Sequence, residues 1–426
     1  MKFRRGKLIS LLLLICFAVV SVAGCGGAAT EKEPVTTGEV GDTLRLGAIY
    51  PLTGPLAKLG QEEQKGAQIA ADLRNDAGGI NGNKIEWIFA DAPTPEAGVS
   101  EAERLITVEK VPVIMGSYSS GVAYAASAVA EKNKVIYWEN SGVADNITQR
   151  GFKYLFRFGI TGTSLGETTI KMLRDVIAPE LGKDPKDYKI GVIWEDSSFG
   201  TSVGQGAIGL AKELGYNVVF TESYSAKTTD LSSLVMKLKQ NDIDILIPTS
   251  YVADGLLLFK QMQELNFVPE AVIMGGNATQ DLKAAMGEKI NGLAHSDITQ
   301  PRTNEAMAPG LEAFMKEYKE RYGSEPYSGH VIRAYAGANV LFDVLEKAGS
   351  TDADKIAEAA RSLDLPLGST AAGWGVKFAP EGDPMMGTNE RAEAYGCIWY
   401  KDEIFTVWPV EGQLEDVEVL VPWPAR

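Results

Sequence analysis

The chain has 426 residues, room for about two to three domains at ~150 residues each. Its 23% charged and 45% hydrophobic residues exclude a disordered chain, and its 45 glycines follow no Gly-X-Y period, which excludes a fibre. A net charge of −15 argues against a nucleic-acid partner, three cysteines cannot build a disulfide scaffold, and two histidines leave little room for a histidine-based metal site.

The N-terminus carries Lys2, Arg4, Arg5 and Lys7 with no acid, then an apolar run over 8–22 broken only by Ser10 and Ser21. A basic segment followed by an apolar run of this length predicts a secretory signal over 1–24 rather than a membrane span. The run ends Val22-Ala23-Gly24-Cys25, which resembles the bacterial lipobox. That resemblance implies a lipid on Cys25; an ordinary signal peptide with an incidental Cys25 is the alternative. The Gly-, Thr-, Glu- and Pro-containing stretch 25–42 reads as a lipidated, flexible tether. Cys16 leaves with the signal, so Cys397 is the only free thiol expected in the body. The expected location is the outer face of the bacterial cytoplasmic membrane (or the periplasm), with the lipid as the sole membrane contact.

From residue 43 the pattern alternates. Strands are predicted at 44–50, 84–90, 111–115 and 135–138, with helices at 60–76, 96–110 and 121–132 between them. Such short connections demand a parallel sheet. After 154–158 a second cycle begins. It has helices at 165–180, 199–214, 231–240, 253–265 and 280–286, and strands at 188–194, 217–222, 243–248, 271–274 and 292–295. Three consecutive helices follow at 304–322, 328–348 and 352–363, and the tail from Gly373 mixes short strands with Gly, Pro and Trp. The predicted fold is α/β: two Rossmann-like open parallel-sheet lobes joined by a multi-strand hinge, with a ligand cleft between them. The first lobe is assigned 43–158 plus about 297–376, and the second 159–296 plus about 377–426.

Two enzyme-like motifs occur. Gly162-Thr163-Ser164-Leu165-Gly166 matches a nucleophile elbow, which would need His295 or His330 as base for a secreted serine hydrolase acting through Ser164. Gly204-Gln205-Gly206-Ala207-Ile208-Gly209 matches a dinucleotide fingerprint, but its glycines fall inside a predicted helix instead of in the turn after the strand. Close helix packing accounts for it better. No histidine pair or Asp/Asn ladder suits a metal, and no cofactor is expected.

The strand ends carry hydroxyls and amides instead. Gly116-Ser117-Tyr118-Ser119-Ser120-Gly121 opens directly into a helix, where hydroxyls and free N–H groups suit a carboxylate, or plain N-capping. Glu139-Asn140-Ser141-Gly142, Thr249-Ser250-Tyr251 and Gly275-Gly276-Asn277 follow three other strands. This is a binding set with no nucleophile–base pair.

Together with Gly47-Ala48-Ile49-Tyr50-Pro51-Leu52-Thr53-Gly54-Pro55, Gly78-Gly79-Ile80-Asn81-Gly82, Ile147-Thr148-Gln149-Arg150-Gly151 and Asp230-Leu231-Ser232, these features resemble the solute-binding proteins of ABC importers. The likeness is to the leucine/isoleucine/valine-binding type and spans nearly all of 43–400. It implies a small-molecule solute captured by hinged closure, permease and ATPase partners, and a monomer that performs no catalysis.

The resemblance also implies that Ser119 grips a ligand carboxylate with Tyr118 beside it and Ser120 next to it. Ser141 and Val143 would hold both ends of an amino acid, Tyr251 would come from the second lobe, and His330 would close over the side chain. Asn277 stands where relatives have the acid that meets the ligand ammonium, Val143 where they have a threonine, and Leu59 where they have an aromatic. A buried ammonium needs a charge partner. Either Glu139 supplies it, or the ligand is an amide or organic acid without an ammonium. A sensory module is a third possibility for this fold, disfavoured by the absence of an attached output segment.

Overall fold

The computed structural model describes residues 43–424. The signal, the tether and Cys25 lie outside the described residues. Five strands, β1 (Leu44–Tyr50), β2 (Ile85–Asp91), β3 (Val113–Gly116), β4 (Ile136–Glu139) and β5 (Leu155–Arg157), form the first sheet, in the order β2-β1-β3-β4-β5. Every pairing is parallel. Parallel strands covered on both faces are apolar along their length, and β3 and β4 are buried throughout.

The second sheet holds β6 (Ile190–Glu195), β7 (Val218–Tyr224), β8 (Ile245–Thr249), β9 (Ala271–Gly275), β10 (Ala294–Asp297), β11 (Tyr395–Tyr400) and β12 (Glu403–Trp408). Their order is β12-β11-β10-β9-β8-β6-β7. Strands β6 to β10 run parallel, while β11 pairs antiparallel with β10 and β12 antiparallel with β11. The tail therefore adds an antiparallel hairpin to a parallel sheet. Its two-residue turn, Lys401-Asp402, has both φ values positive (49° and 66°), the twist that tight hairpins favour. Strand β7 sits at the other edge and alternates between half-buried and exposed residues, as an edge strand with one wet face should.

The consecutive helices come back over the first lobe. Helix His330–Ala348 lies so close to helix Ala57–Asp76 that a Cβ on Gly66 would stand 2.2 Å from the Val331 carbonyl oxygen. The Trp138 indole N–H donates to the Gly337 carbonyl at 3.0 Å, tying the returning helix to β4. The first of these helices is shorter than its sequence pattern, running only over Leu311–Tyr322, because Gly310 at φ +88° breaks the helical path.

The chain makes further contacts with the first sheet just after the expected boundary at about 376/377. Phe378 packs between Trp138 and Phe156 at ring distances of 5.3 and 5.2 Å, and Thr388 bridges to Arg157 of β5. Phe378 and Thr388 thus contact the first sheet, and the chain joins the second sheet at Tyr395.

The two enzyme-like motifs meet each other. Helix Gly162–Met172 crosses helix Ser198–Glu213, and a Cβ on Gly166 would sit 1.9 Å from the Val203 carbonyl oxygen. Reciprocally, a Cβ on Gly206 would sit 2.5 Å from the Thr163 carbonyl oxygen. These glycines exist so that two helix backbones can touch. Ser164 lies in the first turn of its helix, capped by Thr161, and neither His295 nor His330 is a hydrogen-bond partner for it.

Candidate functional site

In both sheets the strand order reverses at the first strand of the cycle: β1 lies between β2 and β3, and β6 between β7 and β8. Open α/β sheets bind ligands off the carboxyl ends of strands near such reversals. A cavity of about 40 Å³ lies there, walled by both lobes. After β3 come Tyr118 and Ser120, and after β4 come Ser141 and Val143. The second lobe supplies Phe199 after β6, Tyr251 after β8, Gly276 and Asn277 after β9, and Asp297 at the end of β10. Ile160 and Leu165 enter from the first crossing, and His330 and Arg333 from the returning helix.

Of the residues singled out in the sequence, seven line this cavity: Tyr118, Ser120, Ser141, Val143, Tyr251, Asn277 and His330. Tyr118 and His330 face each other with ring centres 5.0 Å apart, and Phe199 and Tyr251 do so at 5.1 Å. The Tyr118 hydroxyl donates to Asn277 Oδ1 at 2.7 Å, while Asn277 Nδ2 donates to the Ser250 carbonyl at 2.9 Å. Both ends of the Asn277 amide are thereby engaged within the protein. Burial, and then the Arg333 charge, hold the His330 imidazole well below its usual pKa, so the ring is neutral.

Three of the expected residues stand outside the cavity lining. Ser119 is the N-cap of helix Ser120–Lys132, with no capping hydrogen bond from its side chain. Leu59 is buried in helix Ala57–Asp76. Glu139 turns away from the cleft: its carboxylate accepts from the backbone N–H groups of Ser117 (2.8 Å), Ser141 (2.7 Å) and Gly142 (2.6 Å). It holds the two strand-end loops together. Burial outweighs those three donors and lifts its pKa to about 8.

Sequence reasoning missed two charged wall residues. Arg333 is buried, its terminal nitrogen 3.5 Å from Glu63 Oε1, and Glu63 also accepts from the Ser141 hydroxyl. Burial pushes the Glu63 carboxyl up to about 7, even beside the guanidinium. Asp297 was within reach of sequence logic, since it ends a parallel strand like the other site residues. An arginine in the apolar stretch His330-Val331-Ile332-Arg333-Ala334 was the visible signal for the other.

A family model described as periplasmic binding protein matches residues 43–387. The chain belongs to that family. Among its relatives, the Leu/Ile/Val-binding protein homolog 8 of Brucella abortus (strain 2308) is 41% identical, over 86% of this chain and 90% of the relative. Homolog 7 of Brucella suis biovar 1 (strain 1330) is 39% identical, over 88% and 94%. In fold the chain resembles a leucine-binding protein of Thermotoga maritima (TM-score 0.73, 24% identity, 85% of this chain and 97% of the other). It resembles equally a solute-binding protein of Rhodopseudomonas palustris HaA2 solved with p-hydroxybenzoic acid (TM-score 0.73, 19% identity, 88% and 96%). One of these two structural neighbours is thus named for leucine binding, and the other was solved with an aromatic acid. Among the described residues, no helix is long and apolar enough to cross a membrane.

Proposed function

We propose that this chain is the exported, lipid-anchored solute-binding component of an ABC importer, capturing a small carboxylate-bearing solute by hinged lobe closure. The solute class is a hydrophobic amino acid, branched-chain or aromatic. The observation that carries the proposal is the cavity between the lobes, with a buried arginine on one wall and a lining of mixed polar and apolar side chains on the rest. Arg333 and Ser120 offer a positive charge and a hydroxyl to a carboxylate, while the Ser141 hydroxyl donates to Glu63. Val143, Ile160, Leu165 and Phe199 offer apolar contact to a side chain. Tyr118 and Tyr251 close over it from opposite lobes, with Ser119 behind them. The relatives named for leucine, isoleucine and valine support the amino-acid class.

The role is capture and release, with no covalent step. Cys25 would hold the body to the membrane surface, and the two lobe faces would meet the permease as a monomer. The test is thermal denaturation of the purified protein with a panel of amino acids, aromatic acids and amides. Ligand at 100 times Kd adds about 2.7 kcal/mol of stability. A rise in melting temperature of several degrees with an aliphatic or aromatic amino acid is expected. A shift confined to amides would overturn the carboxylate assignment.

A further inference from the structure

Glu139 spends its carboxylate on three backbone N–H groups, and Asn277 is a neutral amide that already accepts from Tyr118, so neither offers a free negative charge to a ligand ammonium. Asp297 is different. It ends β10, lines the cavity, and its side chain is 13% exposed. One carboxylate oxygen accepts from the Ile298 backbone N–H at 2.8 Å. The other lies 3.8 Å from His295 Nε2, the only ion-pair neighbour of Asp297 among the described residues. His295 is no cation, because complete burial lowers its pKa to about 3.

Across the same cavity stands Arg333, its side chain 3% exposed and its Nε without a protein partner. Its one ion-pair contact, to Glu63, is long at 3.5 Å. The cavity therefore holds an acid on the second lobe and a guanidinium on the first, each with unused bonding capacity. A ligand carrying both charges would satisfy both walls when the lobes close.

We infer that Asp297 is the counter-charge for the ligand's ammonium, so that the cavity selects zwitterionic α-amino acids over acids that lack the amine. This rests on the proposal that the cleft captures a carboxylate solute, and it narrows that solute class. An acid without an amine leaves Asp297 with only the Arg333 charge across the cavity, which the ligand carboxylate then also draws on, and an under-compensated enclosed charge is costly. A charge-assisted hydrogen bond is worth about 1.5–3 kcal/mol, a discrimination of about 10- to 100-fold.

The test is titration calorimetry of the full-length protein with matched pairs: leucine against 4-methylpentanoate, and phenylalanine against 3-phenylpropanoate. In the wild type the amine-bearing member of a pair should bind about 10- to 100-fold tighter. In Asp297→Asn that gap should close through weaker amino-acid binding, with the affinity for the simple acid unchanged or improved. Equal or tighter binding of the simple acid by the wild type overturns the inference, needs no variant, and leaves carboxylate capture standing. Undiminished amino-acid affinity in a folded Asp297→Asn protein also overturns it. Failure of every acid and amino acid to bind overturns the parent proposal and this inference together.

Discussion

The Tyr118 hydroxyl reaches across the cleft and donates a 2.7 Å hydrogen bond to Asn277 Oδ1, joining the loop after β3 to the loop after β9. The bond is buried and lies on the cavity wall, so it forms only when the lobes are together. Tyr118→Phe leaves Asn277 Oδ1 without its donor in the closed form, at a cost of about 1–3 kcal/mol. Because binding is linked to closure, ligand affinity should fall about 5- to 160-fold. Titration calorimetry measures it, and small-angle scattering should show a larger radius of gyration in the absence of ligand. Unchanged values in both would remove the bond from the closing mechanism.

A second cross-lobe contact should matter much less. Lys58 Nζ lies 2.7 Å from Asp281 Oδ1, linking helix Ala57–Asp76 to helix Gln280–Met286, but both side chains reach solvent. Exposed pairs contribute about 0–1 kcal/mol. Lys58→Met should weaken binding by less than about fivefold, and salt should shrink the effect further. A larger, salt-insensitive loss would show that this pair is a principal latch.

Glu63 gives a signed pH dependence. Its folded-state pKa is raised to about 7 from 4.5, chiefly by burial. A carboxyl raised on folding contributes stability that is fully present below its unfolded pKa and is lost as pH climbs through the folded value. Between about pH 4.5 and 7 this group should lower stability by on the order of 1 kcal/mol per pH unit. Glu63→Gln keeps an acceptor for the Ser141 hydroxyl and removes the titration. Urea denaturation at pH 5, 6 and 7 should show a flatter slope in the variant, and equal slopes would refute the assignment.

The paired glycines make a stability prediction that also bears on catalysis. Gly166→Ala forces a Cβ against the Val203 carbonyl, from which an ideal position is only 1.9 Å away. The two helices must separate, at about 3 kcal/mol or more. Ser164→Ala, two residues earlier, should leave stability and ligand affinity within about 0.5 kcal/mol of wild type. Ester hydrolysis that disappears in Ser164→Ala would contradict a purely binding role.

Cys25→Ser should abolish lipid attachment. The wild-type protein is expected in the detergent phase of a phase-partition experiment, and the variant in the aqueous phase. Aqueous wild-type protein would favour an ordinary cleaved signal.

The alternation of strands and helices is plain in the sequence because parallel strands buried on both faces leave continuous apolar runs, as in Ile245–Thr249, and because polar strand-end loops punctuate them. That pattern located the cleft, and the loops after β3, β4, β8 and β9 do meet there. What the sequence could not decide was the direction in which each polar side chain points. Glu139 and Asp297 are both acids at the ends of parallel strands, with nothing local to rank them. The fold ranks them: the loop Ser141-Gly142 curls back so that its amides consume the Glu139 carboxylate, whereas Asp297 receives a single amide and faces the cavity. Arg333 depends likewise on Glu63, 270 positions away, a partner brought to it only when the returning helix packs on the first lobe. Local propensity and periodicity are short-range and survive in the linear chain. The pairing of buried charges is set by long-range packing, and so belongs to the tertiary structure alone.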